Sequence, residues 1–585
     1  MQTVTTDCLI IGGGLAGRMA AREASRTGLQ VTLLSDGPGA SPWVHGINIP
    51  VHPKDSVESF LSDTIASGQG VSDPALAAAL CQDAPEILTE LEGMGLRFNR
   101  DGQGYQFLRP LGASHPRVMS VGNDTGVAVL KTLKAELEAK LDERPGLRAV
   151  HLQAQGGRVT GALCFDQPSH AWVTVRAAAT VLACGGFCGI YPFTTNKRDS
   201  GGDGVAMAFR AGAALCDLEM IQFEPSGAVW PEALRGTSMI TTMFFEGAVL
   251  RNSDGERFML RYGPEGERVN KDLLARRIAA EIQADKGTAH GGVYFDATAL
   301  GKERLEALYP AYVARYRAVG IDLASEWIEL APCAHTSLGG VRVDAQGAST
   351  VEGLFACGEV MGGLHGANRI GGSAGLETLV FGRRAGRAAA AYIRQNPAGA
   401  DIGRMDSPAS AANTSEFKPE MNAFPFPDSG LVFSTGNGNA SSNSRQTTVV
   451  ADHPARTPAT PESLTADFSV ALHALRTEMQ TTLDRNANVL RNRDGLASAL
   501  RTLRGGWEAL LRLRPAEPHE TFLWFRLHND LTAACLLCTA ALVREDSVGC
   551  HCRTDAQEAP AVPYRVQLSR NGDGSIQAER LPVGR

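Results

Sequence analysis

Thr3-Val-Thr-Thr-Asp-Cys-Leu-Ile-Ile11 runs directly into Gly12-Gly13-Gly14-Leu15-Ala16-Gly17, and this passage decides the fold. The first part is apolar and rich in β-formers, as a buried strand is. The second is a glycine turn, followed by a helical pattern to about Thr27 and a further strand, Gln30–Leu34, that ends at Ser35-Asp36. Strand, GxGxxG, helix and strand in this order and length predict a dinucleotide-binding βαβ unit. Gly12 makes the tight turn, Gly14 admits a pyrophosphate, and Gly17 lets helix and strand pack closely. Leu15 and Ala16 open the helix, where free N–H groups suit phosphate. The acid that usually holds a ribose is displaced: Ser35 ends the strand and Asp36 follows, and either can reach a ribose hydroxyl. A glycine-rich αβ turn with no ligand is the plainer alternative.

A second glycine-rich passage lies far along the chain, from Gly353 to Gly386. A short buried strand, Gly353–Cys357, delivers the carboxylate of Glu359 into a loop that carries His365 and Arg369. The loop feeds a helix beginning near Ser373. Close backbone approach to a ligand needs glycine, and a helix start suits an anion or a polarised oxygen. A merely structural loop has no need of so many glycines beside His, Asn and Arg.

Together these passages resemble the flavoprotein subunits of succinate dehydrogenase and fumarate reductase, and also L-aspartate oxidase. Further matches follow in order between and beyond them. They are Ser114-His115-Pro116-Arg117, Ala183-Cys184-Gly185-Gly186, Gly202-Asp203-Gly204, Gln222-Phe223-Glu224-Pro225, Gly255-Glu256-Arg257-Phe258, His335-Thr336-Ser337-Leu338-Gly339-Gly340 and Arg544-Glu545-Asp546-Ser547-Val548-Gly549-Cys550-His551. The resemblance covers nearly the whole chain except a linker and the tail. It implies an α/β fold: a Rossmann-like FAD-binding core with an inserted α+β capping domain and a C-terminal helical bundle. It also implies that Ala183, Gly185, Asp203, Glu359, Ser373 and Leu376 join the first glycine turn around FAD.

Length and composition agree with a multidomain enzyme. At 585 residues about two to four domains are expected. The net charge of −7 argues against nucleic acid as the main partner. No run reaches the roughly 20 apolar residues that span a bilayer. The N-terminus enters a strand almost at once, so neither a secretory nor a twin-arginine signal is expected. A cytoplasmic location follows, peripheral on the inner face of the membrane if partner subunits carry the chain there. Most of the 12 cysteines are scattered singly, as free thiols are. Cys535, Cys538, Cys550 and Cys552 lie closer together, yet their spacing is not that of a ferredoxin, and no metal site is assigned to them.

The expected domains are 1–222 and 335–396 for the FAD-binding core, 223–334 for the cap, 397–463 for a flexible linker, 464–560 for the helical domain and 561–585 for the tail. A long helix, Thr125–Leu141, and a strand pair near Leu147–Ala154 and Gly157–Phe165 belong to the core. Asn571-Gly572 marks a hairpin in the tail.

For the chemistry, the resemblance implies that Arg369 and His335 bind one substrate carboxylate. A guanidinium fork fits a carboxylate in bidentate fashion. The family's proton shuttle is an Arg followed by Asp; here Lys271-Asp272 stands there, so Lys271 is the candidate proton carrier. Glu224 replaces the family's histidine, and Thr241 and Phe244 replace an acid and an arginine. A second substrate carboxylate facing Glu224 is repelled unless Glu224 is protonated or paired. His365 is a further candidate. His45, with Gly46, occupies the region where succinate dehydrogenase attaches its flavin, but nearer the place of a glutamine. Non-covalent FAD with His45 beside its ring is therefore expected. The leading reading is an FAD-dependent oxidoreductase acting on a small carboxylic acid. The alternatives are L-aspartate oxidase and an electron-transfer subunit with an iron–sulfur partner and a non-dicarboxylate substrate.

Overall fold

Strand Gln2–Ile11 lies parallel to Val31–Ser35 on one side and to Ala171–Leu182 on the other. This is the centre of a seven-stranded sheet. In the computed structural model, the described residues are 1–396 apart from 103, 123 and 139, strands Leu431–Ser434 and Gln446–Val449, and residues 468–556, 562–572 and 575–583. Cys8, Leu9 and Ile10 are fully buried, as a parallel strand covered on both faces must be.

The long strand Ala171–Leu182 changes neighbour partway. Residues 171–176 pair antiparallel with Arg158–Asp166, whereas residues 180–182 pair parallel with Leu354–Ala356. That split brings the second glycine passage onto the same sheet as the first. Ala183 then sits between them: a Cβ on Gly12 would lie 2.2 Å from the Ala183 carbonyl oxygen.

Helix Leu15–Ser25 packs along helix Ser373–Gln395. Gly382 and Gly386 make the contact, because a Cβ there would meet the Ala16 and Ala20 carbonyl oxygens at 2.6 and 2.4 Å. Ascending numbers on one helix meet ascending numbers on the other, so the two run in the same direction. Gly382 lies nine residues into its helix. At 1.5 Å per residue the longer helix starts roughly 12 Å beyond the start of its neighbour.

The cap is built on a four-stranded antiparallel sheet of Ile221–Trp230, Ile328–Ser337, Val293–Asp296 and Val249–Arg251. It has its own apolar core, including Met243, Phe244, Leu250, Phe295 and Leu330. The chain enters along Ile221–Trp230 and leaves along its partner Ile328–Ser337, so the expected limits at 223 and 334 fall inside paired strands.

The C-terminal helices are Phe468–Asn486, Arg493–Arg512 and Pro518–Val543. The last is buried along almost its whole length and packs on helix Asp203–Arg210. The tail forms the hairpin Tyr564–Arg570 and Ile576–Pro582, which joins a sheet with Leu215–Cys216 and Gly340–Arg342. It is thus sheet-bound to the core. The expected linker lies outside the described residues, except for strands Leu431–Ser434 and Gln446–Val449, which pair with each other and, through the first, with Ile576–Pro582. The helix expected over Thr125–Leu141 stops at Leu137, because Asp142–Pro145 adds an edge strand parallel to Val31–Ser35. No described helix is long and apolar enough to cross a membrane.

Candidate active site

Two glycine-started helices define the cofactor half. Gly14 precedes helix Leu15–Ser25 and Gly372, at φ +86°, precedes helix Ser373–Gln395; neither start has a capping side chain of its own. Ser41 Oγ accepts the Leu15 N–H at 3.0 Å. A Cβ on Gly17 would stand 1.8 Å from the Gly12 carbonyl oxygen, and one on Gly13 would stand 2.2 Å from Ser35 Oγ. Gly185, at φ +79°, has open space where a Cβ would go. Two helix starts without capping residues of their own, side-chain-free turns and an open face at Gly185 fit a dinucleotide. Gly46 is fixed for a different reason: its Cβ would meet the Met119 carbonyl oxygen at 2.8 Å, beside the strand pair of Ile47–Asn48 with Val118–Met119.

Several expected cofactor residues have side chains already engaged by the protein. Arg148 holds Asp36 and Asp199 at 2.7 Å and Asp203 at 2.8 Å, and Asn529 donates to Asp203 at 2.7 Å. Gln167 donates to Asp36 at 3.0 Å. Glu359 accepts from Thr336 Oγ1 at 2.9 Å, the Ser337 amide at 3.1 Å and Asn196 Nδ2 at 3.1 Å. Burial pushes its carboxyl up despite those donors. Ser373 Oγ accepts from Asn48, and Leu376 is buried in the core. Ser35 is buried behind the first turn. These side chains set the backbone of the cradle.

The residues expected to hold substrate come from the cap's entry and exit strands, the helix start at Lys271 and the glycine loop. Glu224 stands on Ile221–Trp230 opposite Cys333, two residues before His335 on the partner strand. Lys271, the first residue of helix Lys271–Glu281, places Nζ 2.5 Å from Glu224 Oε2. Ser226 donates to the other oxygen at 2.9 Å. Burial raises the Glu224 carboxyl, but Lys271, with His335 and Ser226, outweighs it and leaves a net lowering. The repulsion expected of Glu224 is thereby offset: the acid is paired. Phe244 turns into the cap core against Phe295.

His335 Nδ1 lies 2.8 Å from Thr195 Oγ1. Burial, reinforced by Arg369, Lys271 and His45 against the pull of Glu224, takes the imidazole down to about 3. It is neutral at physiological pH. The loop bearing Arg369 is held by Gln222 Nε2, which donates to Asn368 Oδ1 at 3.0 Å and to the Arg369 carbonyl at 3.2 Å. The guanidinium itself makes one hydrogen bond, 3.3 Å from Nη1 to the Ile370 carbonyl, and its Nε is buried without a partner. His365 is engaged elsewhere: its Nε2 lies 3.0 Å from buried Glu377, bracing the loop against the helix that follows. His45 is exposed, and its backbone carbonyl accepts from Thr125 Oγ1 at 2.6 Å. Although its side chain reaches solvent, the protein packed around it, and then the charge of Arg315, lower its imidazole.

Two features escape sequence reading. The charge of Arg315, on cap helix Pro310–Arg317, acts on His45, and Glu224 acts on Tyr312 of the same helix, yet in the sequence they belong to an unremarkable basic helix. The loop after the last long helix also reaches the site: Cys550 donates its N–H to the Ala367 carbonyl at 2.9 Å, and a Cβ on Gly549 would meet that oxygen at 2.1 Å. Cys535 and Cys538 are buried in the last long helix, Cys550 is buried in this loop, and Cys552 is half-buried beyond it. Among the described residues no group of three or more His, Cys, Asp or Glu side chains is placed to hold a metal ion.

The FAD binding domain family matches residues 7–374, and the fumarate reductase flavoprotein C-terminal family matches residues 476–573. The chain is 41% identical over 394 residues to a subunit of the CoM/CoB fumarate reductase of Methanothermobacter marburgensis, across 66% of this chain and 72% of that one. It is 32% identical over 585 residues to L-aspartate oxidase of Caulobacter vibrioides, across 96% of each. Among solved structures, E. coli quinol fumarate reductase FrdA, in a point-mutant form, matches with a TM-score of 0.81 and 25% identity, covering 100% of this chain and 98% of that one. This chain belongs to the FAD-dependent oxidoreductase family of the fumarate reductase and succinate dehydrogenase flavoproteins.

Proposed function

We propose that this protein interconverts the saturated and unsaturated forms of a small carboxylic acid. The observation that carries the reading is the Arg369 guanidinium: its Nε is buried without a partner, its hydrogen bond goes to a backbone carbonyl, and its loop is tied by Gln222 to the cap strand that bears Glu224. An arginine stays charged in proteins, so this one calls for an anion. Bound FAD supplies a two-electron hydride donor or acceptor. Arg369 and His335 hold the carboxylate and polarise the neighbouring double bond. For reduction, one carbon gains a hydride and its neighbour a proton; Lys271 gives that proton, and Glu224, at 2.5 Å, keeps the ammonium aimed and in contact with a second carboxyl group.

The Lys271–Glu224 pair weighs against an amine-bearing substrate, because the acid that would meet the amine already faces an ammonium. Purified protein, handled anaerobically, tests this. Fumarate should reoxidise its reduced flavin, and L-aspartate should neither reduce it nor form peroxide with oxygen. Aspartate-dependent peroxide would instead establish the oxidase reading. Non-covalent attachment predicts that acid denaturation releases all the yellow colour from the protein. Electrons are proposed to arrive through an iron–sulfur partner subunit that sets any peripheral membrane location. Co-purification from native extract should recover an iron-containing protein; recovery of the chain alone, fully active with a soluble donor, would remove that step.

A further inference from the structure

We infer that Gln69, in the turn after core helix Val57–Ser67, is a positioning residue: it ties the loop that carries Arg369 to the cap helix that begins at Lys271, and so aligns the proton carrier with the anchored acid. The inference rests on the acid site and the role of Lys271 proposed above. Gln69 holds φ at +52°, in the left-handed region. Glycine suits that backbone and glutamine does not, so the side chain calls for a reason. It is exposed, and core packing does not supply one.

Its hydrogen bonds do. Gln69 Oε1 accepts the Gly549 N–H at 2.8 Å, and its Nε2 donates to Asp272 Oδ2 at 3.4 Å. Asp272 directly follows Lys271, and the other oxygen of its carboxyl is buried without a partner. Among the described residues, Gln69 is the one hydrogen-bond partner of that side chain. One turn further on, Arg276 donates to the Gly549 carbonyl. Residues four apart share a helix face, so Gln69 and Gly549 hold one face of the cap helix at successive turns, while Lys271 reaches from its start to Glu224. The same turn grips the acid side. The Ala367 N–H donates to the Gly68 carbonyl at 3.1 Å, and Ser67 Oγ donates to the Asn368 carbonyl at 3.0 Å. Arg369 is the next residue. The clamp and the proton carrier lie on different domains, and Gln69 is where the turn bonded to one reaches the helix that carries the other.

The test uses flavin-loaded protein, reduced without oxygen and mixed with fumarate. It reads the reoxidation rate at saturation and the fumarate concentration that gives half that rate. Gln69→Gly removes the side chain and suits the left-handed backbone, so its melting temperature should stay close to that of wild type. Its saturating rate should fall at least about tenfold, part of the roughly hundredfold that a misplaced group costs. The half-saturating concentration should stay within about twofold, and flavin content should not change. On a Lys271→Met background the same change should cost nothing more, because the carrier it positions is gone. A wild-type rate in Gln69→Gly, a loss carried by the half-saturating concentration, or a full further loss on the Lys271→Met background overturns the inference and leaves the acid site standing. Failure of fumarate to reoxidise the wild-type flavin overturns the acid reading and the inference with it.

Discussion

The cofactor cradle and the proposed acid site are built by different means. In the cradle the backbone does the work: glycines at 12, 13, 14 and 17 are fixed because any side chain would strike a carbonyl or hydroxyl oxygen, at 1.8 Å in the tightest case. The acids nearby, Asp36, Asp203 and Glu359, face other protein groups. In that site the side chains do the work, and they come from separate elements: a loop of the core, two strands of the cap and the first residue of a cap helix. A backbone site fails as a unit when one residue gains a side chain. A side-chain site fails one function at a time.

That contrast can be broken at several points. The largest effect is expected for Gly17→Val, which puts atoms inside the turn; it should yield protein without flavin, read by the absorbance of the purified chain. Arg369→Ala should keep full flavin content and lose at least about a hundredfold in turnover, as misplacement of a substrate does. Lys271→Met should cost about 100-fold in turnover with acid binding retained, the usual scale of a lost proton donor. Because it also strands a buried carboxylate, it should cost about 3 kcal/mol of stability, and adding Glu224→Gln should return most of that. A Lys271→Met protein of unchanged rate would make Lys271 a mere partner of Glu224.

The smallest effect concerns pH. His335 titrates at about 3 when folded, against 6.5 ordinarily. Between those values the unfolded chain binds the proton and the folded chain does not, so stability rises with pH across that window and is lost as pH falls through it. Glu224 acts in the same direction lower down: its folded value is depressed, so its contribution is present above its ordinary range and lost as acid protonates it. Melting temperatures of His335→Gln and wild type should therefore converge as pH falls from neutrality. Parallel curves would mean that His335 does not carry the burial assigned to it.

The same contrast explains what the sequence discloses. The first turn, the helix starting at Ser373, the strand pair near residues 147–166 and the tail hairpin are local patterns, and they stand where periodicity and turn residues put them. Arg369, His335 and Lys271 could be named because motifs mark them. Their relations could not. That Glu224 would meet Lys271 depends on strand register and on the first residue of a helix 47 positions away. The pairing of Asp36 with Arg148 spans 112 residues for the same reason. Helix packing through Gly382 and Gly386 was equally hidden, since neither glycine sits in a turn.

The central claim is that a carboxylic acid docks on Arg369 and His335 and exchanges two electrons with the flavin beside them. The direct test is to reduce the bound flavin without oxygen and add fumarate to wild type and to Arg369→Ala. The account predicts that yellow colour returns in wild type and stays bleached in the variant, with equal flavin in both. Recovery of colour at the same rate in both proteins, or in neither with any acid offered, would contradict it.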